Sequence, residues 1–312
     1  MTEIITFYKV SQDDEKSEMF GFIEDNKFII KQYRYDWNDI VTVHRSDYDD
    51  KVSFLDHVKK YFKRSDLSKD KLIEPTVCNN HVGKYYPRIY RKGLNQWSGK
   101  DFIIIENFDL NTLNQGIVNC RILIKKLNQL FETISFDESN FKTFGFEIRN
   151  LLLLACMEVE SAWNGIFIAN GYISKNGFYT TNDYVKLCDP LYLKEYDVSF
   201  HLYPNIKPLK PFCNWEISNP TKSLPWYNDY NKTKHDRESN INLATFEATI
   251  NSISAVLIMM YAQYGPIRNI WDQNDFLTIK LKVPEYKLED YYIPKVDPNT
   301  CIHIWEKMNY KF

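Results

Sequence analysis

The sequence predicts an α+β protein: a β-rich segment over 1–110, a helical bundle over 111–265 with a strand-containing insert at 172–222, and a strand-like extension over 266–312. Three observations predict it. Short runs rich in Ile, Val, Phe and Tyr fill the first third of the chain. From Ile117 the apolar residues recur at alternating spacings of three and four. Pro190, Pro204, Pro208, Pro211 and Pro220 break helical periodicity between two long apolar segments.

The candidate strands are Ile4–Val10, Phe20–Ile23, Phe28–Tyr33, Ile40–Val43 and Phe102–Glu106, with Asp25-Asn26 as a hairpin turn between two of them. Phe54, Leu55, Val58 and Phe62 share a face, which predicts a helix over Phe54–Phe62. Ile117, Cys120, Ile124, Leu127, Phe131 and Ile134 form one stripe of an amphipathic helix that Asn111 or Thr112 can cap. A second helix is predicted from Glu138 to Ala169, stopped by Gly171. Its interior is apolar over much of its circumference, so it is expected to be buried. Val198–Leu202 reads as a strand. Ser223 and Pro225 open a short helix through Trp226–Arg237, a break follows at Ser239-Asn240, and Leu243–Tyr264 closes at Gly265-Pro266. Phe276–Val283 returns to a strand pattern.

Composition narrows the class. The chain has 312 residues, 44% of them hydrophobic, with 22 Tyr, 20 Phe and 7 Trp. A tyrosine-rich core follows, with Trp163 and Trp226 as core or helix-contact residues. A net charge of −2 argues against a protein that coats DNA, but leaves a local RNA or nucleotide site open. The six cysteines contain no C-x-x-C pair, which excludes the common zinc and redox motifs. The six histidines are scattered, and the phosphate-loop and zinc-protease patterns are absent. No metal and no cofactor are expected. The longest apolar run, Ile253–Ala262, is short of a membrane span, and the N-terminus has no signal-like stretch, so the expectation is a cytoplasmic protein with no membrane contact.

One constellation carries chemistry. On a helix, Asn231, Lys234, His235 and Glu238 fall on adjoining turns, with Tyr227 and Tyr230 on the same side and Arg237 one step away. An imidazole exchanges protons near neutral pH, cations hold a phosphate, and a carboxamide orients a partner. These are the parts that metal-free cleavage of an RNA backbone needs. The competing expectation is a solvated polar face at a helix end. Glu147, Arg149, Glu158 and Glu160 lie on an apolar helix and are expected to pair. Glu147 and Glu158 are eleven residues apart and share a face, as do Arg149 and Glu160. Glu158 or Glu147 would orient His235.

An apolar helix with E-x-R and E-x-E, a strand-rich insert, then W-Y-x-x-Y-N-K-x-K-H-x-R and a long apolar helix resembles bacterial HEPN-like proteins over about 138–265. The resemblance implies a small helical bundle, often dimeric, and a metal-independent ribonuclease of antiviral, toxin–antitoxin or stress-response systems. It implies RNA as partner, together with a second copy or a protein of the same system. The family's signature places an Arg four to six residues before the His. Here Asn231 stands four before His235 and Arg237 two after it. What carries over is His235 as acid/base, Lys234 and Arg237 on phosphate and Asn231 as orienting group, with Glu158 or Arg149 meeting them from the preceding helix. The alternative is a non-catalytic dimeric binding or scaffold protein.

Overall fold

The structure, a computed structural model, describes residues 4–10, 16–34, 39–64, 71–94, 96–98, 101–103, 109–266, 279–296 and 303–312. The chain forms two compact units, so the α+β class holds with an antiparallel sheet first and helices later. One unit comprises Met1–Tyr85, Arg91–Phe108 and Glu285–Met308, the other Tyr86–Tyr90, Asp109–Pro284 and Asn309–Phe312. Within the expected 266–312 extension, Glu285–Met308 belongs to the first unit and Asn309–Phe312 to the second.

In the first unit, β1 (Ile5–Val10), β2 (Lys16–Glu24), β3 (Lys27–Arg34), β4 (Asp39–Asp47) and β5 (Lys71–Val77) form one sheet in the order β4-β3-β2-β1-β5. All its pairings are antiparallel. Asp25 and Asn26 join β2 to β3 with φ of 48° and 59°, the two left-handed residues that a tight hairpin needs. Strand alternation sends Phe7, Met19, Phe28 and Ile30 into one core, where Val58 of α1 (Phe54–Arg64) packs on them. Phe20 meets Tyr291, whose hydroxyl donates to the buried Glu18 carboxylate at 2.9 Å.

The smaller strands are β6 (Lys84–Tyr85) and the hairpin of β7 (Gln96–Ser98) and β8 (Asp101–Ile103). Residues 104–106, the rest of the strand expected at Phe102–Glu106, lie outside the described residues. In the same unit β11 (Lys295–Val296) pairs β12 (His303–Ile304), and β13 (Glu306–Lys307) pairs β6 in parallel.

His303 makes this unit acid-sensitive. Burial, with the Lys31 ammonium adding to it, pushes its imidazole down to about 4. As pH falls below the ordinary value of 6.5, the unfolded chain takes up a proton that the folded one refuses. The stability this neutral imidazole contributes is complete above that value. It is lost as pH falls toward 4, by up to about 3 kcal/mol. Urea denaturation at pH 7 and pH 4.5 checks it: His303→Gln should lose distinctly less between the two than the native chain.

In the second unit, α2 (Leu110–Phe131), α3 (Phe146–Ala169), α5 (Pro225–His235) and α7 (Phe246–Tyr264) form the bundle. Short helices α4 (Thr181–Tyr184) and α6 (Arg237–Asn240) lie between them. The insert contributes β9 (Asp197–Phe200), paired with β10 (Ile279–Lys282). Residues 276–278 of the strand expected there lie outside the described residues. Helix α7 buries residues around its whole circumference, so it is the centre of the bundle.

Helix boundaries differ from expectation in several places, four of them for a clear local reason. Asp109, not Asn111 or Thr112, caps α2, its carboxylate accepting from the Asn111 and Thr112 amides. Helix α3 begins at Phe146 rather than Glu138. The backbone at 141–144 is taken up instead by the start of α7: the Phe246 amide donates to Thr143, the Glu247 amide to Phe141, and Phe144 bridges Thr245. Ser223 does not cap α5, because its hydroxyl accepts from the Glu216 amide. The break after α5 comes at Asp236, not Ser239-Asn240. Asp236 adopts φ −141° and caps α6 through the Ser239 amide at 3.1 Å.

Among the described residues one helix, α3, has the length and apolarity of a membrane span. Its face Leu152, Ala155, Cys156, Val159, Trp163 and Ile166 is buried in the bundle. Both Trp163 and Trp226 are core residues. Cys120, Cys156 and Cys188 are buried and Cys213 is exposed. Cys301 lies outside the described residues.

Candidate functional site

Helix α5 starts on Pro225, whose missing N–H costs nothing at a first turn. Spacings of three and four turn Trp226, Tyr227, Tyr230 and Thr233 inward. The remaining surface carries Lys232, Lys234 and His235, all exposed, and Asn231, half-buried; Lys234, four residues after Tyr230, flanks the inward face. Because α5 ends at His235, Arg237 and Glu238 belong to α6 and do not continue its face; both are exposed. Among the described residues no hydrogen bond or ion pair reaches the His235 imidazole or the Asn231 carboxamide. Cations at this end sit where a helix leaves its carbonyls unmatched.

Beneath this surface is a carboxylate–phenol cluster. Glu160 of α3 accepts from Tyr227 at 2.6 Å and from Tyr230 at 3.4 Å. The Lys234 ammonium donates to the Tyr230 hydroxyl at 3.0 Å and lies 3.9 Å from Glu160. It also sits 5.0 Å from the centre of the Tyr230 ring. Burial first, and then the Glu160 carboxylate, raise both phenols well above the ordinary tyrosine value, so both remain hydrogen-bond donors. Trp163 packs against Tyr227 at 5.3 Å and stacks on Trp215 at 5.1 Å. The cluster thus holds Lys234 in a fixed place at the edge of the exposed cationic surface.

Glu160, rather than Glu158, is therefore the carboxylate that faces α5. Two residues on a helix differ by about 200° in direction, which sends the members of E-x-E to opposite sides. Glu158 faces α2, where it accepts from Asn119 at 2.9 Å. It lines a cavity of about 90 Å³ with Arg88, Gln263 and Tyr264. There the Arg88 guanidinium donates to Gln263 at 2.7 Å and lies where a side chain on Gly165 would clash. Burial holds it below the ordinary arginine value. Neither Glu158 nor Glu147 orients His235, since Glu147 is exposed in the first turn of α3. Arg149 shares the face of Glu160 but lies eleven residues, about 16 Å, along the helix. Its Nη1 donates to Asn150 at 3.4 Å, and its buried Nε has no partner among the described residues. Of the four α3 charges, Glu160 makes the expected inter-helix ion pair, with Lys234 of α5; among the described residues Glu147, Arg149 and Glu158 make none.

A signal for Glu160 was present in the sequence: Cys156, Glu160, Trp163 and Phe167 follow a four–three–four spacing, which puts the carboxylate in an apolar stripe. Arg88 had no such signal, because it sits outside any helix with φ +57°. Glu160→Ala is expected to destabilise the chain by about 3 kcal/mol, since it strands two buried phenols and removes a charged acceptor. Glu160→Gln, which keeps an acceptor, should cost about 1 kcal/mol. Denaturant unfolding followed by tryptophan fluorescence measures both.

Fold and site define an α+β protein of two units whose helical unit presents an imidazole and cations at one helix end, with one cation tied to an internal carboxylate–phenol cluster. Comparison with models of protein families, with curated proteins and with solved structures finds no match. Among the described residues no group of three His, Cys, Asp or Glu side chains is placed to hold a metal ion.

Proposed function

We propose that the chain is a HEPN-like effector of a bacterial antiviral or stress-response system, acting in the cytoplasm, whose helical unit cleaves RNA without a metal. His235 is the acid/base, Lys234 and Arg237 bind phosphate, and Asn231 orients the bound RNA. The observation that carries this reading is the open end of α5. There an exposed imidazole stands beside exposed cations, one of them held through Tyr230 by Glu160. A merely solvated helix end has no need of a buried anchor for its lysine. Arg149 and Glu158 take no direct part in this reading, and Glu160 replaces Glu158 as the supporting carboxylate.

The test is incubation of purified protein with RNA in the presence of a chelator, beside a His235→Ala variant. Cleavage by the native chain that the variant loses supports the reading; equal cleavage by both, or none by either, overturns it. A second reading, a non-catalytic dimeric scaffold, rests on exposed Val118 and Ile122, one turn apart on α2, and exposed Leu154 and Met157 on α3. Absence of cleavage with a light-scattering mass of twice the chain would favour it.

A further inference from the structure

A second opening in the helical unit, on a different side of α5 from His235, has the size and chemistry of a ligand site. It is a cavity of about 480 Å³ bounded by α5, the start of α7 and the turn of the insert around Pro211. That volume lies within the usual range for small-molecule sites. One wall is the edge of Trp226, which is fixed in place by its indole N–H donating to the Pro211 carbonyl at 2.9 Å. Lys142 at the rim is already neutralised by Glu247 at 2.6 Å.

Four other polar groups in the lining are not committed in this way. Lys210, Asn214 and Asn242 make no side-chain hydrogen bond or ion pair with the described residues. Asp229 projects from α5 half-buried, and the side-chain donor beside it is its sequence neighbour Asn228. Burial raises its carboxyl above the ordinary value, with Lys232 and Lys142 acting against the rise. A half-buried carboxylate short of donors is stabilised by a ligand that brings them.

We infer that this cavity binds a ribonucleotide through its free vicinal diol and its phosphate. The 2′- and 3′-hydroxyls donate in parallel to the two oxygens of Asp229, Lys210 meets the phosphate, and Asn214 and Asn242 supply donors and acceptors to the ribose and base edges. Lys210 and Asp229 cancel in charge, and the Lys142–Glu247 pair adds none. Selection therefore comes from the arrangement of hydroxyls rather than from net attraction. An α-amino acid would match the two charges but leave both carboxamides and most of the volume unfilled. The same chemistry is offered by a free mononucleotide and by the 3′-terminal nucleotide of an RNA. The inference does not depend on RNA cleavage at His235.

Titration calorimetry of the full chain with adenosine 5′-monophosphate and its 2′-deoxy form tests it. Fluorescence anisotropy with two short labelled RNAs, one ending in a 3′-hydroxyl and one in a 3′-phosphate, separates the two sources. The ribonucleotide is expected to bind about tenfold more tightly than the deoxy form, a loss typical of one unmatched charged hydrogen bond. Asp229→Asn should remove that preference, and Lys210→Ala should weaken the monophosphate about tenfold while leaving adenosine unchanged. Preference for the 3′-hydroxyl RNA points to a chain end, and binding of the mononucleotide with neither RNA points to a free nucleotide; both support the site. Asn242→Ala, at an exposed position, decides the matter if Asp229→Asn fails to fold, since it too should weaken the ribonucleotide. No binding of any probe, equal binding of ribo and deoxy forms, or native affinity in every folded variant overturns the inference.

Discussion

Replacing His235 with alanine is expected to lower chelator-resistant RNA cleavage about a hundredfold while the chain remains folded. General acid–base catalysis by a placed side chain is worth between about a hundredfold and ten-thousandfold. The lower end is expected because nothing holds the ring. Among the described residues the imidazole has no hydrogen-bond partner, so on the proposed reading its orientation would come from bound RNA. The fold should tolerate the change because His235 is exposed in the last turn of α5 and fills no packed space. Neighbouring variants should behave differently. Arg237→Ala should weaken RNA binding and reduce its salt dependence by about one counterion, without the same loss of turnover. Lys234→Ala should lower both binding and stability, because it would remove the proposed phosphate contact and also open the Glu160–Tyr230 cluster. Gel-based cleavage rates at saturating and limiting RNA separate these effects. If Arg237→Ala and Lys234→Ala match the native chain in salt dependence, the α5 end does not contact phosphate.

What the sequence made legible follows from how local the physics is. The hairpin at Asp25-Asn26 could be read because two residues tolerant of left-handed φ stand between β-branched and aromatic runs. Helix α7 could be read from its long apolar segment, Ala255–Ala262, and from Gly265, whose φ of +79° ends it. The errors came where a long-range partner outbid a local preference. Residues 138–145 have helical pattern, yet only a short 3-10 turn forms at Glu138–Asn140, and the backbone at 141–144 pairs with the start of α7, a partner more than 100 residues away in sequence. Asp236 looked like one more polar residue of α5, but its carboxylate is better used in capping α6.

The site was legible to the same degree. The residue types near His235 were evident, but the side from which support comes was not. Glu158 and Glu160 differ by two positions and by about 200° in direction, so the choice between them required knowing which face of α3 meets α5. Three side chains of the apolar stripe carry that information: Cys156 and Trp163 are fully buried, and Glu160 lies between them. Asp229 and Lys210 could not have been linked at all. They are 19 residues apart across a proline-rich insert, and only the tertiary fold brings them to one cavity.

Gly93→Ala is expected to cost about 4 kcal/mol, more than the same change at Gly21 or Gly83, the other described glycines of the first unit. Two effects combine there. Gly93 has φ +86°, where a Cβ is disfavoured by about 1–2 kcal/mol. The added carbon would also stand 2.1 Å from the Tyr292 carbonyl oxygen and 2.7 Å from the Ile40 Cδ1. Those atoms cannot yield cheaply. The Tyr292 amide donates to the Lys92 carbonyl at 3.0 Å, so moving one chain away from the other breaks the hydrogen bond that holds them together. Gly177→Ala separates the two effects. Its φ is +78°, nearly the same backbone strain, but no atom lies within 4 Å of the added carbon. It should cost only the conformational part, about 1 kcal/mol. Urea denaturation of the two variants beside the native chain measures the difference. A loss at Gly93 no larger than that at Gly177 would mean that the contact with Tyr292 is soft, and that the segment at Arg91–Leu94 does not lock against residues 291–293.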